Sequence, residues 1–247
     1  MQVRPACGSE RAFTLLELLV TCAVIAILVS ILAAGVTRAR ERANSAVCQN
    51  NLRQLALCSQ MYWDENDGRV FPYKKATDAE GDLYWFGWLG RGPEGTRIFI
   101  PEKGALFPYL ATRGIEICPA LNYQFKRFKL KARGSAFGYG YSLEVAALEP
   151  AKISRLNAPA QIALFADAAQ VNDFQAPASP EKPMLEEFYY ISPREATTHF
   201  RHHEKSQIAF CDGHVGAAKM LSGSLDKRLP SARVGKLGPE YFPHPNP

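Results

Sequence analysis

Apolar residues crowd toward one end of the chain. From Phe13 to Val36 it reads FTLLELLVTCAVIAILVSILAAGV, 24 residues in which Glu17 is the only charge. As a helix this run is about 36 Å long against a hydrocarbon core of about 30 Å, so the pattern predicts a membrane-spanning helix. It exceeds the apolar region of a secretory signal peptide, about 7 to 15 residues, and Arg38, Arg40 and Arg42 follow it where a small-residue cleavage site would stand. Beyond Val36 the pattern turns amphipathic. Ala39, Ala43, Ala46, Val47, Leu55, Cys58 and Tyr62 fall near helical spacing, with an interruption at Asn50 and Asn51. No proline or glycine lies between Val36 and Asp67, which predicts one helix from about Phe13 to about Asn66, stopped by Asp67-Gly68. Its first half is expected in lipid and its second packed on a soluble domain.

The rest of the chain reads as strands and loops. The aromatics of DLYWFGWL, residues 82 to 89, are expected in the core rather than on a sugar-stacking face. FKRFKLKARG, residues 125 to 134, alternates Phe128, Leu130 and Ala132 with Lys129, Lys131 and Arg133, the pattern of a half-exposed strand with a basic outer face. Such a face offers a dock for a polyanion, although lysines guarding a strand edge explain it more simply. Ile162 to Phe165 predicts a short buried strand running to Asp167, and Gln207–Cys211 and His214–Ala218 predict a hairpin turning at Asp212-Gly213. After about Leu229 the chain is rich in proline and glycine and is expected as irregular coil.

Composition changes this picture little. With 47% hydrophobic and 21% charged residues over 247 positions, the chain has ordinary globular content, and its formal net charge of +5 is mild. There is no phosphate loop, dinucleotide fingerprint or nucleophile elbow. Arginines flank the apolar run on both sides, so charge does not set its orientation.

The carboxylate in the apolar run is the informative exception, because charge in a membrane segment marks a function or a partner unless it reaches the headgroups. Ala12-Phe13-Thr14-Leu15-Leu16-Glu17 resembles the processing site of type IV prepilins and type II secretion pseudopilins. The resemblance implies a leader of residues 1–12, cut after Ala12 by a prepilin peptidase, methylation of the new terminus at Phe13, and a role for Glu17 in assembly. In the apolar bundle Glu17 would neutralise the amine of a neighbouring subunit, a buried pair being tolerable where a lone charge is not. The chain departs from the pattern at Ala12, where glycine is usual.

A second cluster lies near the other end, in THFRHHEKSQIAFCDGHVGAAKM from Thr198. His199, His202, His203, Asp212 and His214 offer ligands of the type zinc accepts. Adjacent His202 and His203 point apart on a strand, so the simpler expectation is a histidine bonding Asp212 or loop carbonyls, with no metal. His202, nine residues, then Asp212-Gly213 resembles the carboxy-terminal signature of a family of prepilin-processed bacterial proteins. CQNNLRQLALCSQMYWDENDGRVFP from Cys48, ICPA at 117 to 120, and the strand ending at Asp167 agree with that family. The resemblance implies architecture and processing but names no reaction.

Of six cysteines, Cys7 would leave with the leader and Cys22 lie in lipid. Cys48 and Cys58 cannot pair if both are helical, because ten residues rise about 15 Å and a disulfide requires Cα atoms within about 7 Å. The family-like stretches point to a Cys48–Cys118 bridge, with free buried thiols as the alternative.

The resulting expectation is an α+β protein with a long amino-terminal helix on an antiparallel sheet domain. Its parts are a leader at 1–12, a membrane half-helix at 13–36, an amphipathic half at 37–66, a globular domain at 67–229 and a tail at 230–247. It is read as a structural, non-enzymatic pseudopilin-like subunit, single-pass in a bacterial inner membrane with its globular domain extracytoplasmic. Its expected partners are a prepilin peptidase, other pilin-like subunits and membrane lipid, without a cofactor and without nucleic acid. The rival readings are a tethered binding module for a glycan or polyanion, and a zinc-dependent enzyme.

Overall fold

A computed structural model describes residues 14–110, 114–115, 117–133 and 137–243. The expected leader, including Ala12, and Phe13 lie outside the described residues. The chain divides into two units, with the boundary between Arg42 and Ala43.

Both units draw on one helix, Leu15–Glu65. In the first unit every described side chain from Thr14 to Arg42 is exposed, and the run of leucine, isoleucine and valine includes Leu15 at 78% and Ile31 at 68% exposure. Apolar surface on that scale has no place in water, and the helix is long and apolar enough to cross a membrane.

In the second unit the helix buries Cys48, Leu52, Leu55, Ser59 and Trp63, a stripe at helical spacing. This corrects the expected stripe: Ala43 and Ala46 are exposed, and Val47 is 49% exposed. Of the two asparagines that looked like an interruption, Asn50 is exposed and Asn51 is part of the buried face. Asn51 is buried and donates to the Ile117 carbonyl at 3.1 Å and to the Tyr139 hydroxyl at 3.4 Å. The helix stops where Asp67 and Gly68 turn left-handed, at φ 56° and 76°, with the Gly68 N–H closing on the Trp63 carbonyl.

The helical stripe shares a core with a five-stranded sheet, ordered Tyr190–Ile191, Tyr139–Ser142, Ala163–Asp167, Lys205–Phe210 and Val215–Lys219. All neighbours are antiparallel except the first pair. The central strand, ALFAD, is buried at every position, which is why it reads as a continuous run rather than an alternation. Trp85, Phe71, Tyr141 and Phe165 fill the core, and the buried indole N–H of Trp85 donates to the Tyr189 carbonyl at 3.0 Å. The aromatic stretch thus packs as expected, with Trp85 and Phe86 buried and Tyr84 and Trp88 half-buried.

The basic stretch does not. Among its described residues only Phe128–Lys129 forms a strand, paired with Met184–Glu186, and the expected alternation fails at its centre, while Ala132 is buried and Arg133 exposed as expected. Lys129 and Lys131 are buried, while Leu130 is 44% exposed. The Lys129 ammonium lies 2.8 Å from a Glu186 oxygen and also pairs with Glu94; that of Lys131 lies 3.1 Å from the other Glu186 oxygen and over the rings of Phe188 and Tyr189. The buried carboxylate of Glu186 calls for cations, and alternation alone cannot show which face meets it. No lysine face is presented here to a polyanion.

The segment after Leu229 also contributes more than coil. Val234–Gly235 pairs with Thr198–His199, and Val234, Leu237 and Phe242 are buried.

Candidate functional site

Among the described residues two constellations carry chemistry, and the first is at the start of the helix. The Thr14 hydroxyl accepts from the Glu17 N–H at 3.2 Å, while a Glu17 oxygen accepts from the Thr14 N–H and hydroxyl, both at 2.9 Å. This reciprocal arrangement is a capping box, which satisfies helix-start N–H groups that have no intrahelical partner. The spacing Thr14-x-x-Glu17 is its sequence signal, and it supplies a local reason for the carboxylate that membrane hydropathy does not.

The second is buried within the larger unit and gathers four segments of the chain. Cys48 comes from the helix, Cys118 from the loop of ICPA, Asp167 from the end of the central strand, and His202 from the turn before the Lys205–Phe210 strand. Their ligand atoms lie within 4.8 Å of one another, and all four residues are buried. Cys48 donates its S–H to Asp167 at 3.3 Å, Cys118 Sγ is 3.3 Å from His202 Nε2, and that nitrogen is 3.5 Å from the second Asp167 oxygen.

Local structure fixes each donor. Asp167 sits in register with Tyr139 on the neighbouring strand and accepts the Gln207 N–H at 2.8 Å. His202 is delivered by a tight turn closed by reciprocal backbone bonds with Lys205, in which His203 and Glu204 both take left-handed φ, 50° and 62°. Non-glycine residues adopt that region only under constraint from their surroundings. The Leu121 N–H returns to the Cys118 carbonyl, holding the ICPA loop.

The electrostatics are dominated by burial and by Arg201, whose Nε is 3.1 Å from Asp167. Burial pushes the Asp167 carboxyl up to about 7, and Arg201 and His202 oppose it. Burial also acts to raise the Cys118 thiol, but its bond with Cys48 and the charges of Arg201 and His202 outweigh this and bring it down to about 3. Cys48 is held well above its ordinary value by burial and by Cys118.

The other expected site residues lie elsewhere. His199 is buried in the strand paired with Val234–Gly235, and burial lowers its pKa well below the ordinary imidazole value. His203 is exposed. At the hairpin, Asp212 accepts from the His214 N–H at 3.1 Å, its oxygen lies 2.6 Å from His214 Nδ1, and Gly213 takes φ 92°. A histidine does lock this turn, but it is His214; His202 is separated from it by the whole Lys205–Phe210 strand. Cys48 and Cys118, named as a possible bridge, are neighbours here as free thiols. Sequence reasoning did not assign Asp167 or Arg201 to the site. The signal for Asp167 was a carboxylate set in ALFADAA with no turn residue beside it, hence a charge that must be buried and partnered.

Against known families, residues 7–33 match the one described as the prokaryotic N-terminal methylation motif. The chain carries a prepilin-type amino terminus. The match spans the expected cut, Glu17 and most of the exposed apolar helix, and points to pilin-like structural proteins for the amino terminus of this prepilin-type chain. Motif and helix together are consistent with single-pass anchoring in the inner membrane. No curated protein and no solved structure matches the prepilin-type chain.

Proposed function

We propose that the chain is a pseudopilin-like structural subunit, cut after Ala12 by a prepilin peptidase, methylated at Phe13 and held in the membrane by its amino-terminal helix. In this reading residues 1–12 are the leader, 13–36 the membrane half of the helix, 37–66 its amphipathic half, and 67–229 with the tail 230–247 the extracytoplasmic domain. Subunits associate through the apolar helix in a pilus or type II secretion-like apparatus, with Glu17 receiving the amine of a neighbour. The observation that carries this is the methylation motif at residues 7–33, which overlaps a helical stretch whose described apolar side chains, from Leu15 to Ala33, are exposed. Lateral helix contacts are what would cover that surface outside lipid, and a repeated head-to-tail contact builds an open filament.

Packing inside of the lysines at 129 and 131 and the rings at 85 and 86 supports this reading over the rival binding module, which keeps half-buried Tyr84 and Trp88 and exposed Arg133. The test is co-expression with an active prepilin peptidase and mass spectrometry of the product. A chain beginning at methylated Phe13 is the expected result. An intact Met1, with the peptidase active on a control prepilin, would reject the proposal.

A further inference from the structure

We propose that Cys48, Cys118, Asp167 and His202 form a structural zinc(II) site. The donor set is the first argument. Two thiolates, one imidazole and one carboxylate are ligands zinc accepts, and four is its number in closed structural sites; the soft sulfurs argue against calcium or magnesium. Geometry is the second. Bond lengths of about 2.0 to 2.3 Å at tetrahedral angles place neighbouring ligand atoms about 3.3 to 3.8 Å apart. One ligand atom from each of the four residues lies within 4.8 Å of the others, and the Cys118 Sγ to His202 Nε2 edge is 3.3 Å; Cys48 Sγ lies 3.3 Å from one Asp167 oxygen and His202 Nε2 3.5 Å from the other, so the carboxylate offers an oxygen to either side.

Charge is the third argument. Zinc with two thiolates and a carboxylate leaves one net negative charge, and the buried Arg201 guanidinium beside Asp167 cancels it. A neutral, enclosed centre is what a low-dielectric interior tolerates. Arg201 and the Gln207 N–H also grip Asp167 from outside the ligand set, the outer support that orients metal-binding carboxylates. Binding would release to solvent the protons held on the ligand atoms. Hydrogen bonding alone explains the cluster less well, because thiols are weak donors and weak acceptors.

The four ligands are 70, 49 and 35 positions apart along the chain, so the metal would tie the helix, the ICPA loop, the central strand and the turn after Arg201 at one point. All are buried, which suits a structural rather than a catalytic centre, since catalysis requires an open position. The site is independent of leader processing, so either proposal can fail alone.

The test uses the full-length chain in detergent, isolated without reductant from its native compartment. Elemental analysis after dialysis is expected to find about one zinc per chain, in line with a single four-ligand site. His202→Ala and Cys118→Ser are expected to reduce this to background. Because such variants can misfold, wild-type protein exchanged with cobalt(II) provides the second measurement. Tetrahedral ligand-field bands with thiolate charge transfer are expected, and both cysteines should alkylate once the chain is denatured with chelator. Background zinc in the folded wild type, octahedral cobalt bands, or a Cys48–Cys118 disulfide recovered by peptide mapping would each overturn the proposal.

Discussion

At the scale of single residues, Glu17 has two separable uses: it completes a capping box with Thr14, and in the proposed assembly it supplies a negative charge. Glutamine serves at the same capping position but carries no charge. Glu17→Gln is therefore expected to keep the helix content of the membrane-embedded chain while losing cross-linked multimers as fully as Glu17→Ala. Multimers at the wild-type level in Glu17→Gln would show that subunits do not use the charge. Glu187 offers a second test, in the globular part. Burial raises its carboxyl to about 8 from an ordinary 4.5, against the pull of Lys131. A raised value means the folded state holds the proton more tightly than the unfolded one. The contribution is complete below about pH 4.5 and is lost as pH rises toward 8, by up to about 1.4 kcal/mol per pH unit. Glu187→Gln should therefore gain stability relative to wild type between pH 5 and 8, read as diverging denaturation midpoints. Parallel midpoints would place the proton elsewhere.

Among the elements, the sheet depends on a close approach that only glycine permits. A Cβ at Gly140 would stand 2.6 Å from the Tyr190 carbonyl carbon and 2.8 Å from the Ala168 Cβ, with backbone on one side and a core side chain on the other. Neither yields cheaply, so Gly140→Ala is expected to destabilise the fold by about 1 to 3 kcal/mol, measured by denaturant titration in detergent. An unchanged midpoint would mean that the parallel Tyr190–Ile191 edge is not held this tightly. The elements also show how far the sequence could be read. The long helix, the buried strand to Asp167 and the Asp212-Gly213 hairpin each carry a local signal: length without breakers, a continuous apolar run, and a turn dipeptide tolerant of positive φ. Around Phe128–Lys129 alternation puts Lys129 and Lys131 outside and Leu130 inside, the opposite of what is found, because it leaves open which side chains meet Glu186.

At the scale of the whole molecule, the four ligand positions show the same division. Cys48, ICPA, Asp167 and His202 each stood in a stretch that stood out in the sequence, and only Cys48 and Cys118 were expected near one another, as a possible bridge. The histidines nearest in sequence were grouped as ligands because spacing was the only distance available. Folding separated them, burying His199 in one strand pair, leaving His203 exposed and placing His214 on the Asp212 turn.

The amino-acid sequence by itself determined the prepilin-type terminus, the apolar length sufficient for a membrane, the α+β order of elements and the hairpin turn. Each depends on residues within a few positions of one another, so composition and spacing suffice. Only the tertiary structure decided that Lys129 and Lys131 face inward, that Asn51 belongs to the core, and that Cys48, Cys118, Asp167 and His202 meet. Those outcomes depend on which distant segments share a buried volume, and burial converts an unpaired charge or thiol into a group that must find its partner there.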